Sequence, residues 1–155
     1  MFDSLDLDYP KLRIYQDGLP VCGREAEIVM ELAGAGSPNH ELLRNLIEKG
    51  ATVMGTESPD LLVEEYQLIM HSQPGPRLQA GAGKKAVLGR SLLEKRDKYI
   101  ADRINRTLGP GEVGVIFIGM LHSVQKYLAP DIEVVHPANW SFSKEVDRGS
   151  QSPDC

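Results

Sequence analysis

The chain is poor in the features that would fix it to a compartment or staple it together. Its two cysteines, Cys22 and Cys155, cannot make a disulfide framework. No apolar run approaches the roughly 20 residues that a membrane span requires. Residues 1–10 carry Asp3, Asp6 and Asp8 and lack the basic end and apolar centre of a signal peptide. Basic side chains are outnumbered, 17 Lys and Arg against 22 Asp and Glu. A general nucleic-acid or membrane-surface binder needs a basic face, so this balance disfavours both partners. The expectation is a cytoplasmic chain whose partner, if any, is a small molecule; a homodimer is allowed but not demanded.

What the chain does have is alternation of element types. Its 155 residues suit one domain, long enough to bury roughly 70% of its unfolded surface. We expect that domain over residues 1–140 and a loose polar tail over 141–155, with Trp140 and Phe142 pinning the junction. Lys11–Gln16 alternates as a strand does, and Asp17-Gly18 reads as its end. Apolar residues at helical spacing follow over Glu25–Ala33. Ser37-Pro38 and Ser58-Pro59 each pair a capping residue with a proline suited to a first turn. Ala51–Gly55 reads as a short buried strand, with Glu57 just beyond it. Gln73–Gly83 is dense in Pro and Gly and reads as a mobile loop. Lys84–Leu108 follows as the longest helix. Val113–His122 (VGVIFIGMLH) is a solid apolar run ending on a histidine. Such a run suits a strand covered on both faces. Ser123–Leu128 fits a short helix, and Ile132–Val135 a fourth strand ended by Pro137. Strands separated by helices imply right-handed crossovers. The predicted fold is therefore α/β, a mainly parallel sheet of about four strands with helices on both faces.

In such sheets ligands bind beyond the carboxyl ends of the strands. Asp17, Glu57 and His122 all fall at predicted strand ends, so parallel neighbours would bring them to one edge. A carboxylate beside His122 could set its tautomer and make it a general acid or base. The same three side chains also offer the donors of a divalent metal site. Taken singly, Asp17-Gly18 is equally a routine turn, and Glu57 is equally a favourable charge before a helix. Arg96 lies between Leu92, Leu93, Tyr99 and Ile100, on the apolar stripe of its helix, and Arg103 lies on nearly the same face. A buried guanidinium needs a partner. That partner is either a carboxylate, with Asp97 and Asp102 nearby, or an anionic ligand.

Other signals are weaker. His40, His71 and His136 fall at element ends and read as surface residues. Cys22 precedes a helix, where a thiol can be activated, but a lone loop cysteine is usually inert. Ala80–Lys85 (AGAGKK) lacks the first glycine, the Ser/Thr and the preceding strand of a phosphate loop.

The segment Glu94–Pro137 resembles the TraB-like group, which includes the erythromycin-esterase and ChaN-like proteins. The group's Arg-rich helix element is matched by Arg96-Asp97 with Ile100-Ala101, and its G-x-x-H strand end by Gly119-Met120-Leu121-His122. Glu57 resembles the acidic residue closing an early strand in that group. Where the group usually has a second G-x-x-H-like element, this chain has Gln16-Asp17-Gly18-Leu19. The residue pattern and the resemblance together point to a hydrolase-like enzyme, with His122, Glu57 and Asp17 as catalytic or metal-binding residues and Arg96 and Arg103 as ligand-binding residues. Two rivals use the same residues: a non-catalytic domain that binds or senses an anionic small molecule, and a structural subunit whose buried polar groups satisfy one another.

Overall fold

A run of residues buried on both sides of the chain marks a central strand, and Leu12–Pro20 (β1) is such a run: Ile14 and Tyr15, which point to opposite faces, are both fully buried. The structure is a computed structural model describing residues 7–70 and 82–136, with side chains described from 86 onward in the second stretch. Its sheet has the order β2-β1-β3, where β2 is Thr52–Glu57 and β3 is Val113–Phe117. Both pairings are parallel, and Ile14 stands opposite Val53 on one side and Val115 on the other. The described helices are α1 (Glu25–Gly34), α2 (Pro38–Glu48), α3 (Pro59–Met70) and α4 (Ala82–Thr107), with short 3-10 turns at Tyr9–Lys11 and Val124–Tyr127.

The faces of β1 seed two cores. Leu12, Ile14 and Leu19 pack with Val29 of α1 and with Leu43 and Leu46 of α2. Truncating a fully buried leucine such as Leu43 to alanine would cost about 2–5 kcal/mol. Tyr15 points the other way, into Ile100, Ala101 and Ile104 of α4 and Val124 of the 3-10 turn Val124–Tyr127. Its phenol is not stranded there. Thr107 gives its hydroxyl proton to the Arg103 carbonyl at 2.6 Å, so Tyr15 donates to Thr107 Oγ1 at 2.9 Å. Burial pushes the Tyr15 phenol up from its ordinary pKa.

The expected α/β fold, with a parallel sheet and helices on both faces, is present; the sheet has three strands among the described residues, and Ile132–Val135 is not a fourth. Ile132 packs against the second core, but its N–H donates to the Ala129 carbonyl instead of a neighbouring strand. Apolar alternation over Ile132–Val135 was satisfied by packing one side chain, without a ladder. β1 does not end at Asp17-Gly18. Its pairing with β2 breaks after Gln16, where Gly18 takes φ +77, and resumes at Pro20 opposite Glu57. α4 begins at Ala82, inside the expected loop. The rest of that loop, His71 and the boundary at residue 140 lie outside the described residues. No helix among the described residues is long and apolar enough to cross a membrane.

Candidate functional site at the strand ends

Parallel strands deliver their carboxyl ends to one edge, and here a titratable group lies at or near each of them. Asp17 sits at the break in β1 and Glu57 is the last residue of β2. Beyond β3 the chain turns through Gly119, where the His122 N–H donates to the Gly119 carbonyl at 3.2 Å. Gly119 in turn donates its own N–H to Asp17 Oδ2 at 3.3 Å. This bond ties the turn after β3 to the break in β1. α4 crosses the edge and contributes Arg96 and Asp97; α3 contributes Glu65.

The arginine is enclosed by carboxylates. Its Nε donates to both oxygens of Glu57 at 3.2 Å, and its Nη2 reaches Glu57 Oε1 at 2.7 Å and Asp17 Oδ1 at 2.9 Å. Its Nη1 donates to Glu65 Oε1 at 2.6 Å. All three nitrogens are thus engaged within the chain. Burial works against the guanidinium charge, but the bonds and charges of Glu57, Glu65 and Asp17 outweigh it and raise the Arg96 pKa. The Glu57 carboxyl also moves up. Its complete burial opposes ionisation more than Arg96 favours it, and the charge of Asp17 adds to the rise.

The histidine has its own carboxylate. His122 Nδ1 lies 2.5 Å from Asp97 Oδ1, whose second oxygen accepts the Ser123 N–H at 2.8 Å. His122 Nε2 faces Asp17 Oδ2 at 3.5 Å. Asp17 therefore stands between Arg96 and His122, one oxygen toward each. The side chains of Arg96, Asp97 and His122 are at most 8% exposed, whereas Asp17 is 24% and Glu65 37% exposed. A ligand reaching this edge would meet those two carboxylates first. Met120 and Leu121, in the turn ahead of His122, are almost wholly exposed beside it.

Asp17, Glu57, Arg96 and His122 are brought together. Arg103 is not: its Nε donates to the Gly55 carbonyl at 3.3 Å, further back along β2. A side chain at Gly55 would collide there, since its Cβ would lie 2.7 Å from the Pro20 carbonyl and 2.8 Å from Glu25 Oε1. Neither neighbour expected for Arg96 is its partner. Asp97 holds His122, and Asp102 pairs with Arg106 at 2.9 Å. Sequence reasoning missed two members of the cluster. Asp97 entered only as a partner for Arg96, although one residue of helix turns it about 100° away, toward the loop after β3. Glu65 gave no signal, because the rotation of a helix against its neighbours is not set by residue spacing alone.

Among the described residues, no group of three His, Cys, Asp or Glu side chains could hold a metal ion. Glu57 shows why, since both its oxygens are turned to Arg96. Away from the edge, His40 Nδ1 meets Ser37 Oγ at 2.7 Å, His136 Nε2 lies 3.4 Å from Gln125 Oε1, and Cys22 is an exposed free thiol. Comparison with protein families, with characterised proteins and with solved structures finds no match for this chain.

Proposed function

We propose that the chain is a small hydrolase-like enzyme in which His122 carries protons at the carboxyl edge of the sheet. The carrying observation is the Asp97–His122 pair, 2.5 Å from Oδ1 to Nδ1. A carboxylate on Nδ1 fixes the proton there in the neutral ring and leaves the Nε2 lone pair to accept one. The same carboxylate stabilises the imidazolium that forms. Nε2 points toward Asp17, the more exposed carboxylate of the inner group, so a water or hydroxyl held by Asp17 would lie within reach of the base. Arg96 in this reading is a fastener that holds Asp17 and Glu57 in place, not a clamp for an anion. Of the residues behind the TraB-like resemblance, Glu57, Arg96, Asp97, Gly119 and His122 meet at this edge, while Ile100 and Ala101 pack in the second core; the shared edge residues support carrying that group's hydrolytic chemistry over to this chain.

A second reading has one observation in its favour. All three Arg96 nitrogens are satisfied, and among the described residues no buried side-chain nitrogen or oxygen lacks a partner. A scaffold of mutually satisfied groups would look the same. His122→Gln separates the two. Melting temperature and hydrolysis of a panel of p-nitrophenyl esters, phosphoesters and fluorogenic amides are compared with the parent. The enzyme reading expects turnover by the parent and a loss of at least roughly 100-fold in the variant, with the fold retained. No turnover by the parent, together with a markedly lower melting temperature in the variant, would establish the scaffold.

A further inference from the structure

Helix α3 carries two apolar stripes, and the described fold covers only one. Leu61, Leu62 and Leu68 are half-buried on the side that delivers Glu65 to Arg96. No residue of α3 is fully buried. Val63, Tyr66 and Met70 project on the opposite side and are 55%, 63% and 47% exposed; Ile69 flanks them at 62%. The spacing of three then four residues is that of a seam between two helices. Next to the seam lies a groove of about 310 Å³ between α3 and α4, lined by Glu64, Leu68, Leu88, Leu92 and Lys95 among others. Leu88 extends the patch across it and is 55% exposed.

We propose that this face is the interface of a homodimer, in which α3 packs antiparallel on α3 of a second copy across a two-fold axis. Three arguments select a second copy. The seam is self-complementary: turned about its midpoint, Val63 faces Met70 of the other copy and the two Tyr66 rings meet near the axis. Such an isologous contact closes on itself and leaves no free face to propagate. The groove beside the seam is neutral, because Lys95 Nζ pairs with Glu64 Oε1 at 3.3 Å within one copy, so two copies approach without repulsion there. The area also suffices. Five half-exposed large side chains present on the order of 500 Å² of apolar surface per copy, and two copies together reach the roughly 1,000 Å² expected of a specific interface.

The dimer would also steady the strand-end cluster. The side chains of α3 reach the body through half-buried leucines and the bonds Glu65–Arg96 and Glu64–Lys95. Clamping α3 from outside would hold Glu65 on the guanidinium.

Sedimentation velocity of the full chain, from about 1 to about 100 μM, tests the proposal. The parent is expected to sediment as a dimer over the upper part of that range. Val63→Asp with Tyr66→Asp should weaken association by at least roughly 100-fold, because each copy would have to bury two carboxylates in an apolar seam. Met120→Asp with Leu121→Asp, equally exposed but at the strand-end edge, should leave the dimer intact. Circular dichroism checks that each variant folds. Should the charged α3 variant not fold, Tyr66→Cys in a chain carrying Cys22→Ser and Cys155→Ser gives the same information, since the two thiols should oxidise to a covalent dimer. A parent that is monomeric throughout, a dimer indifferent to the α3 charges, or no disulfide at Tyr66→Cys overturns the proposal.

Discussion

Two arginine–glutamate pairs sit at opposite ends of the same three strands, and they are built differently. At the amino end Arg13 of β1 forks onto Glu112, just before β3, with Nη2–Oε1 at 2.5 Å and Nε–Oε2 at 3.0 Å. The Gly109 N–H adds a third bond to that carboxylate at 2.8 Å. One cation meets one anion there, and Glu112 is pulled down to about 2 by Arg13 and the Gly109 amide. At the carboxyl end one guanidinium faces three carboxylates, with a histidine and a fourth carboxylate alongside. The Glu57 carboxyl moves the opposite way, upward, under burial and the nearby Asp17. A fastener needs only balance, and the amino end has it. Several carboxylates gathered on one guanidinium beside an oriented imidazole are costly for stability alone, and the proposed function rests on that contrast.

The sharpest way to break this comparison is to remove each arginine. Arg96→Ala would leave Glu57 fully buried with Asp17 beside it and no cation on either. Breaking a buried pair in this manner costs about 3–5 kcal/mol. Arg13→Ala leaves Glu112 with the Gly109 amide and with water, since its side chain is 17% exposed. Urea unfolding at neutral pH should therefore show a much larger loss for Arg96→Ala. Equal losses would mean that the two ends are the same kind of structure.

Much of this edge could be read from the chain because parallel sheets gather strand ends, so three separated residues, Asp17, Glu57 and His122, needed only a correct strand reading to converge. Arg96 was legible from its flanking apolar residues. What was not legible depended on distances between elements. Arg103 shares the Arg96 stripe, but seven residues of helix move it about 10 Å along the axis, so it meets Gly55 instead of Glu57. Asp97 required the path of the turn after Gly119, and Glu65 the rotation of α3 about its own axis, which hid Leu61 and Leu62 and exposed Tyr66 and Ile69. Ile132–Val135 has the pattern of a strand, but pattern supplies no edge to pair with.

A second comparison uses pH at the carboxyl end. Because the folded-state pKa of Glu57 is raised above its ordinary 4.5, the folded chain holds more protons than the unfolded chain just above that value. Its contribution is fully present below about 4.5 and is lost as pH rises through the folded-state pKa. Glu57→Gln removes this loss. Asp17 and Glu65 still neutralise Arg96 in the variant, so its stability at neutral pH should fall by less than about 2 kcal/mol. The informative measurement is the slope of unfolding free energy against pH above 4.5, which should be flatter than in the parent. An unchanged slope would show that Glu57 is not the group titrating there.

The smallest expected effect lies at the amino end and has the opposite sign. The Glu112 carboxyl ionises at about 2 in the folded chain against an ordinary 4.5. Between those values the unfolded chain binds more protons, so the contribution of Glu112 is complete above about 4.5 and is lost as pH falls toward about 2. Glu112→Gln cannot titrate, and it should flatten that acid limb while leaving the slope above 4.5 as in the parent. The pair is partly solvated, with Arg13 at 27% and Glu112 at 17% exposure. Salt should therefore weaken its contribution, and added sodium chloride should shrink the difference between parent and variant. The strand-end cluster, enclosed around Glu57, should respond less to the same salt. If the acid limb persisted in Glu112→Gln, the amino-end pair would not be the balanced fastener that its geometry describes, and the contrast between the two ends of the sheet would rest on the carboxyl end alone.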